Sequence, residues 1–107
     1  MATDFIVVLV TTKDKAEADK ISQTLLDEKL IACANIISHV ASCFLWQGKI
    51  NQAEECLIVM KTHKDLFVKL ATRVGALHSY EVPEVLALPI VDGSEAYLSW
   101  LGSVLRS

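Results

Sequence analysis

Residues 78–84, His78-Ser79-Tyr80-Glu81-Val82-Pro83-Glu84, set an imidazole, a phenol and two carboxylates within one short stretch. Imidazole nitrogen with carboxylate oxygen suits zinc, copper or nickel, so His78, Glu81 and Glu84 are candidate metal ligands. The plainer alternative is a structural loop. His78 then closes a helix end, where a cation is favoured, and the two glutamates are simply solvated. A second group runs from Phe44-Leu45-Trp46-Gln47-Gly48-Lys49 through Glu54-Glu55 to Lys61-Thr62. Spaced aromatics on a long strand ordinarily pack, here between subunits. Alternation places Phe44 with Trp46, and the turn is expected to bring Glu54 or Glu55 opposite Lys49. Lys61 ends an apolar run. A charge there calls for a partner, expected from a carboxylate of the neighbouring strand or of the His78 loop.

Other chemistries leave no mark. The chain has no Walker A loop, GxSxG, HExxH or GxGxxG. The cysteines Cys33, Cys43 and Cys56 are odd in number and form no CxxC, which argues against a disulfide framework or a zinc ribbon. They read as reduced, small hydrophobes. The formal net charge is −3, with 8 Lys and 2 Arg among 10 cations. Nucleic-acid binders carry basic surfaces, so no nucleic-acid partner is expected. The longest unbroken apolar run, residues 5–10, falls far short of the roughly 20 residues that span a bilayer. No membrane segment or signal peptide is expected, and the expected location is cytoplasmic.

The elements that must position these residues follow from patterning. The 107 residues suit one domain, 1–107. The apolar run of residues 5–12 predicts a central strand. Asp14-x-x-Glu17 opens a helix over 15–29 as a variant capping box. Residues 31–39 predict a second strand and 42–50 its continuation, with a turn at Gly48 or at Asn51-Gln52. Residues 54–62 predict a third strand. Leu66, Phe67, Leu70, Ala71, Val74 and Leu77 give a helix over 65–77. Residues 85–91 predict a fourth strand, in which Pro89 marks an edge or a strand end. Ser94 caps a last helix with Tyr97, Trp100, Leu101, Val104 and Leu105 on its apolar side. The order βαββαβ plus a C-terminal helix predicts an α+β ferredoxin-like sandwich. Its open sheet face must be covered. Apolar residues make up 52% of the chain, more than a small monomer readily buries, so a partner subunit is expected. RNA-binding versions of this fold need stacking aromatics on a central strand, and Cys56-Leu57-Ile58-Val59-Met60 has none.

In this order and spacing the chain resembles the divalent-cation tolerance protein family, CutA. The matching residues are Ala32-Cys33-Ala34-Asn35-Ile36, Trp46-x-Gly48-Lys49-Ile50, Glu54-Glu55 before Lys61-Thr62, residues 77–84, Leu88-Pro89-Ile90, Gly93 and Tyr97-Leu98-x-Trp100. The resemblance implies a tight homotrimer whose sheets meet around a threefold axis through the second and third strands. Its architecture is similar to that of PII signalling proteins. The resemblance also implies a link to metal-ion tolerance, weak binding of divalent cations, copper above all, no obligatory cofactor and no enzyme activity. Ser79 departs from the family's His-Pro-Tyr, Phe44 from a common Tyr, and Ser94 from the Asn that usually follows Gly93. Val10 and Leu77 stand where some bacterial members are proposed to hold a thiol and a second His as metal ligands.

Four readings then compete. The first is a metal-responsive trimer with His78, Glu81 and Glu84 as ligands. The second is a PII-like sensor binding a small anion in an inter-subunit cleft formed by Lys61, Tyr80, Trp46 and Lys49. The third is a scaffold trimer. The fourth is an enzyme using Lys61, a Glu and His78.

Overall fold

Alternating burial along Phe5–Thr12 (β1) shows how the first strand is used: Ile6, Val8, Val10 and Thr12 are buried, and the residues between them half-buried. The structure, a computed structural model, describes residues 3–106. β1 is central, pairing with one strand from Phe5↔His63 to Thr12↔Cys56 and with another from Ile6↔Pro89 to Leu9↔Leu86, both antiparallel. That two-sided burial is why the run is apolar on both faces.

Helix Lys15–Asp27 (α1) starts where expected. The Asp14 carboxylate accepts the Glu17 N–H at 2.9 Å, satisfying one of the helix's orphan donors. It ends two residues before the expected boundary. Lys29 takes a left-handed backbone, φ 57°. Its N–H donates to Leu26 C=O and that of Leu30 to Leu25 C=O, a Schellman closure with lysine where glycine is usual. Lys29→Gly is therefore expected to raise the unfolding free energy by roughly 0.5–1 kcal/mol, relief of left-handed strain minus glycine's extra unfolded entropy. Urea titration of the two proteins checks this.

The two expected segments 31–39 and 42–50 are one strand, Cys33–Trp46 (β2), bent rather than broken. Its register with Lys49–His63 (β3) jumps from Ile37↔Leu57 to Val40↔Glu55, so Ser38 and His39 together face Cys56. This is a β-bulge, and His39 sits in it at φ 61°. The turn is Gln47-Gly48, both left-handed at φ 51° and 75°, closing the pair Trp46↔Lys49. Positive φ at both positions is the type I′ condition for a two-residue hairpin. Asn51 and Gln52 lie within β3, which begins five residues earlier than the expected third strand. β3 pairs with β1 only from Cys56 onward. Residues 40–46 and 49–55 therefore project as a free ribbon of roughly 20 Å at about 3.3 Å per residue.

The expected helix 65–77 is a 3₁₀ turn, Lys64–Leu66, followed by Phe67–Leu77 (α2). The fourth strand, Leu86–Pro89 (β4), is shorter than expected and forms an edge ending at its proline. Glu95–Val104 (α3) is capped by Ser94 Oγ, which accepts the Tyr97 N–H at 3.3 Å. The sheet order β2-β3-β1-β4 with this chain order gives the ferredoxin-like arrangement.

The core lies between the sheet and α1 with α2, and includes Val8, Val10, Ile21, Leu25, Ile58, Met60, Leu70 and Val74. Each such side chain contributes about 1.5–3 kcal/mol by leaving water. α3 crosses the opposite face, where Tyr97 Oη lies 3.5 Å from Cys33 Sγ. It covers only part of that face. Leu86 and Leu88 remain exposed. The ribbon tip is more open still: Leu45 is 77%, Ile50 76% and Trp46 58% exposed. Leu45 and Ile50 are cross-strand partners on one face, and Phe44 and Trp46 lie on the other, so the tip is apolar on both sides.

Candidate functional site

α2 ends at His78, whose N–H donates to Val74 C=O at 2.9 Å while ψ 143° turns the chain away. The side chain is fully buried. Nδ1 accepts the Tyr80 N–H at 3.0 Å, and Nε2 lies 2.7 Å from Thr11 C=O. A backbone N–H can only donate and a carbonyl only accept. The ring is therefore the neutral tautomer with its proton on Nε2. Both nitrogens are occupied.

Glu17, in the first turn of α1, reaches the same loop. Oε2 accepts the Ser79 N–H at 2.7 Å, and Oε1 accepts the Lys13 N–H at 3.2 Å. Oε2 also lies 3.9 Å from His78 Nδ1. Burial pushes this carboxyl up, but the hydrogen bonds from Ser79 and Lys13 hold it below its ordinary value of 4.5. Tyr80 O–H donates to Glu55 Oε2 at 2.8 Å. Burial first, and then this bond to a carboxylate, push the phenol up to about 12. Side chains from α1 and β3 and a carbonyl of β1 thus converge on one loop.

A carboxyl lowered by folding stabilises above its unfolded value, and that share is lost as pH falls through its folded value. The chain is expected to lose stability below pH 4.5 partly through Glu17. Glu17→Gln puts an amide NH₂ against an N–H donor, so it lowers stability at pH 7 and flattens the acid slope. Denaturant titrations from pH 7 to pH 3 check both.

The expected ligand trio is not assembled. Glu81 and Glu84 are exposed, and His78 has no free lone pair. No group of three His, Cys, Asp or Glu side chains able to hold a metal occurs among the described residues. Lys61 pairs with neither expected carboxylate. It donates to Asn35 Oδ1, two strand positions along from its direct partner Cys33. Lys49 faces Trp46, not Glu54 or Glu55, because the turn falls at Gln47-Gly48; those glutamates oppose Ala41 and Val40. Lys49 and Lys61 stand at opposite ends of β3, roughly 40 Å apart, with Tyr80 between them at Glu55. One chain does not bring the four cleft residues together.

Two concavities flank the ribbon's root. One, of about 400 Å³, is lined by His39, Ala41, Cys43, Gln52 and Glu54 among others. The other, of about 320 Å³, lies against Lys13, Asp14, Lys15 and Cys56. They share His39 and Glu54, whose Nδ1 and Oε1 are 2.6 Å apart.

Residues 6–104 match the family model for CutA1 divalent ion tolerance protein. This chain belongs to the CutA1 family. It is 44% identical over 95 residues to the divalent-cation tolerance protein CutA of Thermus thermophilus, covering 89% of this chain and 92% of that one. It is 41% identical over 102 residues to the chloroplastic protein CutA of Arabidopsis thaliana, covering 95% of this chain but only 56% of the relative. The crystal structure of CutA1 from Oryza sativa superposes with a TM-score of 0.95 at 39% identity, covering 99% of this chain and 97% of that one.

In this CutA1 chain the capping signal found Glu17, but not its second task, because Ser79 is 62 residues away. The Tyr80–Glu55 bond left no local signal either. The His39–Glu54 contact depends on the bulge, which no glycine marks in the sequence.

Proposed function

We propose that this chain works as a non-catalytic homotrimer of PII-like architecture in the cytoplasm, part of the response to divalent metal ions and holding copper or other divalent cations weakly. The observation that carries this reading is the ribbon tip, apolar on both faces and largely exposed. A patch of that kind on a small domain marks an interface. The partly uncovered sheet face beside α3 points the same way. Weak rather than tight cation binding fits His78, whose lone pair a metal would have to win from the Tyr80 N–H. A reducing compartment fits three free cysteines, and no helix is long and apolar enough to cross a membrane. Light scattering on the tag-free protein should give three chains per particle, and calorimetry with copper(II) and zinc should give weak binding. A monomer at micromolar concentration overturns the assembly, and no heat at millimolar metal overturns the cation role.

One observation favours a second reading, a sensor for a small anion. Lys61 is half-buried with a neutral amide as its partner. A subunit covering that face would leave its charge in need of an anion. A thermal-shift screen of anionic metabolites separates the readings, since a ligand of the native state raises apparent stability.

A further inference from the structure

Glu55 carries a buried charge without a counter-charge. The residue is 8% exposed. Among the described residues its side chain takes one hydrogen bond, from the Tyr80 O–H onto Oε2, and Oε1 takes none. The ion pairs of the described residues all involve other groups. A neutral phenol supplies a donor but no charge. A carboxylate taken out of water is costly unless a cation stands beside it, so the question is what brings that cation.

The last pair between β1 and β3 is Thr12↔Cys56. One residue beyond it stand Lys13 and Glu55, where the strands part: β1 turns into α1 and β3 runs on into the ribbon. Both residues line the concavity of about 320 Å³. Lys13 is exposed, and the two charges form no ion pair across the gap. The Lys13 wall carries more positive character. It is the start of α1, where positive partial charge collects. Asp14 is spent on the Glu17 N–H, and the Lys15 and Ala16 N–H groups find no partner among the described residues. A free cation would meet Glu55 but be repelled by Lys13, and a free anion the reverse. A molecule carrying an ammonium and a carboxylate close together satisfies both walls with charge-assisted hydrogen bonds. The volume is at the low end of the roughly 300–1,000 Å³ usual for ligand pockets, which calls for a small molecule.

We propose that the cleft where β1 and β3 part binds a small zwitterion of the α-amino-acid class. Its ammonium meets Glu55, and its carboxylate meets Lys13 and the first N–H groups of α1. The site lies within one chain and takes neither a metal ion nor a simple anion, so it stands apart from both roles proposed above.

The test is calorimetric titration of L-alanine into the full chain, beside propionate and ethylamine, which each keep one of its two charges. Glu55→Gln and Lys13→Gln are titrated in parallel. Glutamine at position 55 keeps an oxygen for the Tyr80 O–H, and Lys13 is exposed, so both variants should fold; circular dichroism checks this. The expected result is that L-alanine binds, and that binding is roughly tenfold or more weaker for each single-charge analogue and in each variant. Propionate or ethylamine binding as well as L-alanine overturns the zwitterion class. L-alanine binding unchanged in both variants overturns the site. No heat with L-alanine at millimolar concentration overturns the proposal, and loss of a three-chain particle in Glu55→Gln would then assign the missing cation to a neighbouring subunit. The assembly and the cation role are read separately, by light scattering and metal calorimetry, and stand or fall independently of these results.

Discussion

His78→Ala is expected to destabilise the protein by about 2–4 kcal/mol with no metal present. Two backbone groups lose their partner at once, the Thr11 carbonyl and the Tyr80 N–H. Each unsatisfied group costs about 1–3 kcal/mol, and the emptied volume beside the Tyr80 ring adds to it. Against a typical total of 5–15 kcal/mol this is a large fraction. At roughly 4–8 °C per kcal/mol for a domain of this size, the thermal midpoint should fall by about 8–30 °C. The comparison is made on metal-stripped protein by calorimetric melting at fixed chain concentration. The metal-ligand expectation for His78 gives the opposite result: an unchanged metal-free protein and a lost metal effect. Equal midpoints for the two metal-free proteins would show that the imidazole is not the fastening described here.

The second large effect lies at the other end of β3. On the assembly proposed above, Leu45→Ser with Ile50→Ser is expected to give single folded chains in place of a three-chain particle. The two side chains face each other across the ribbon and stand mostly in water in one chain. Changing them should therefore move the stability of an isolated chain by no more than about 0.5 kcal/mol. In an assembly that buries them, each is worth about 1.5–3 kcal/mol, so six copies remove on the order of 10 kcal/mol. Light scattering reads the assembly and circular dichroism the fold. A three-chain particle surviving the double substitution would place the contact on the sheet face around Leu86 and Leu88 instead.

The legible parts of the fold were those where local pattern and tertiary environment agree. β1 could be read because one of its faces is buried in the core and the other is half-buried, so its residues are apolar on both sides. The start of α1 could be read because Asp14 caps it, and that of α3 because Ser94 does the same. The continuous β2 could not. Residues 40–41, expected as a break, are regularly paired strand, and the irregularity is a bulge just before them at Ser38-His39, whose left-handed residue is a histidine. The end of α1 failed for the same reason, with lysine in the left-handed position. At the candidate site, the sequence singled out His78 but not its partners. Thr11 is 67 residues away, and only the finished sandwich shows that both ring nitrogens are already taken. Residue types suggested metal chemistry at His78, Glu81 and Glu84; the structure adds that both His78 nitrogens are hydrogen-bonded and that the two glutamates are exposed.

The central place of β1 has a consequence during synthesis. Its first partners in the sheet, residues 56–63, leave the ribosome 44 or more residues after the strand itself. At about 5–20 residues per second that delay lasts seconds. Throughout it the nascent chain carries Phe5-Ile6-Val7-Val8-Leu9-Val10, six β-prone residues with no charge, proline or glycine to interrupt them. Such a segment pairs readily with copies of itself. The element that anchors the finished sheet is thus the one most in need of chaperone cover, and its flanking Asp4 and Lys13 are the nearest charges that discourage premature pairing.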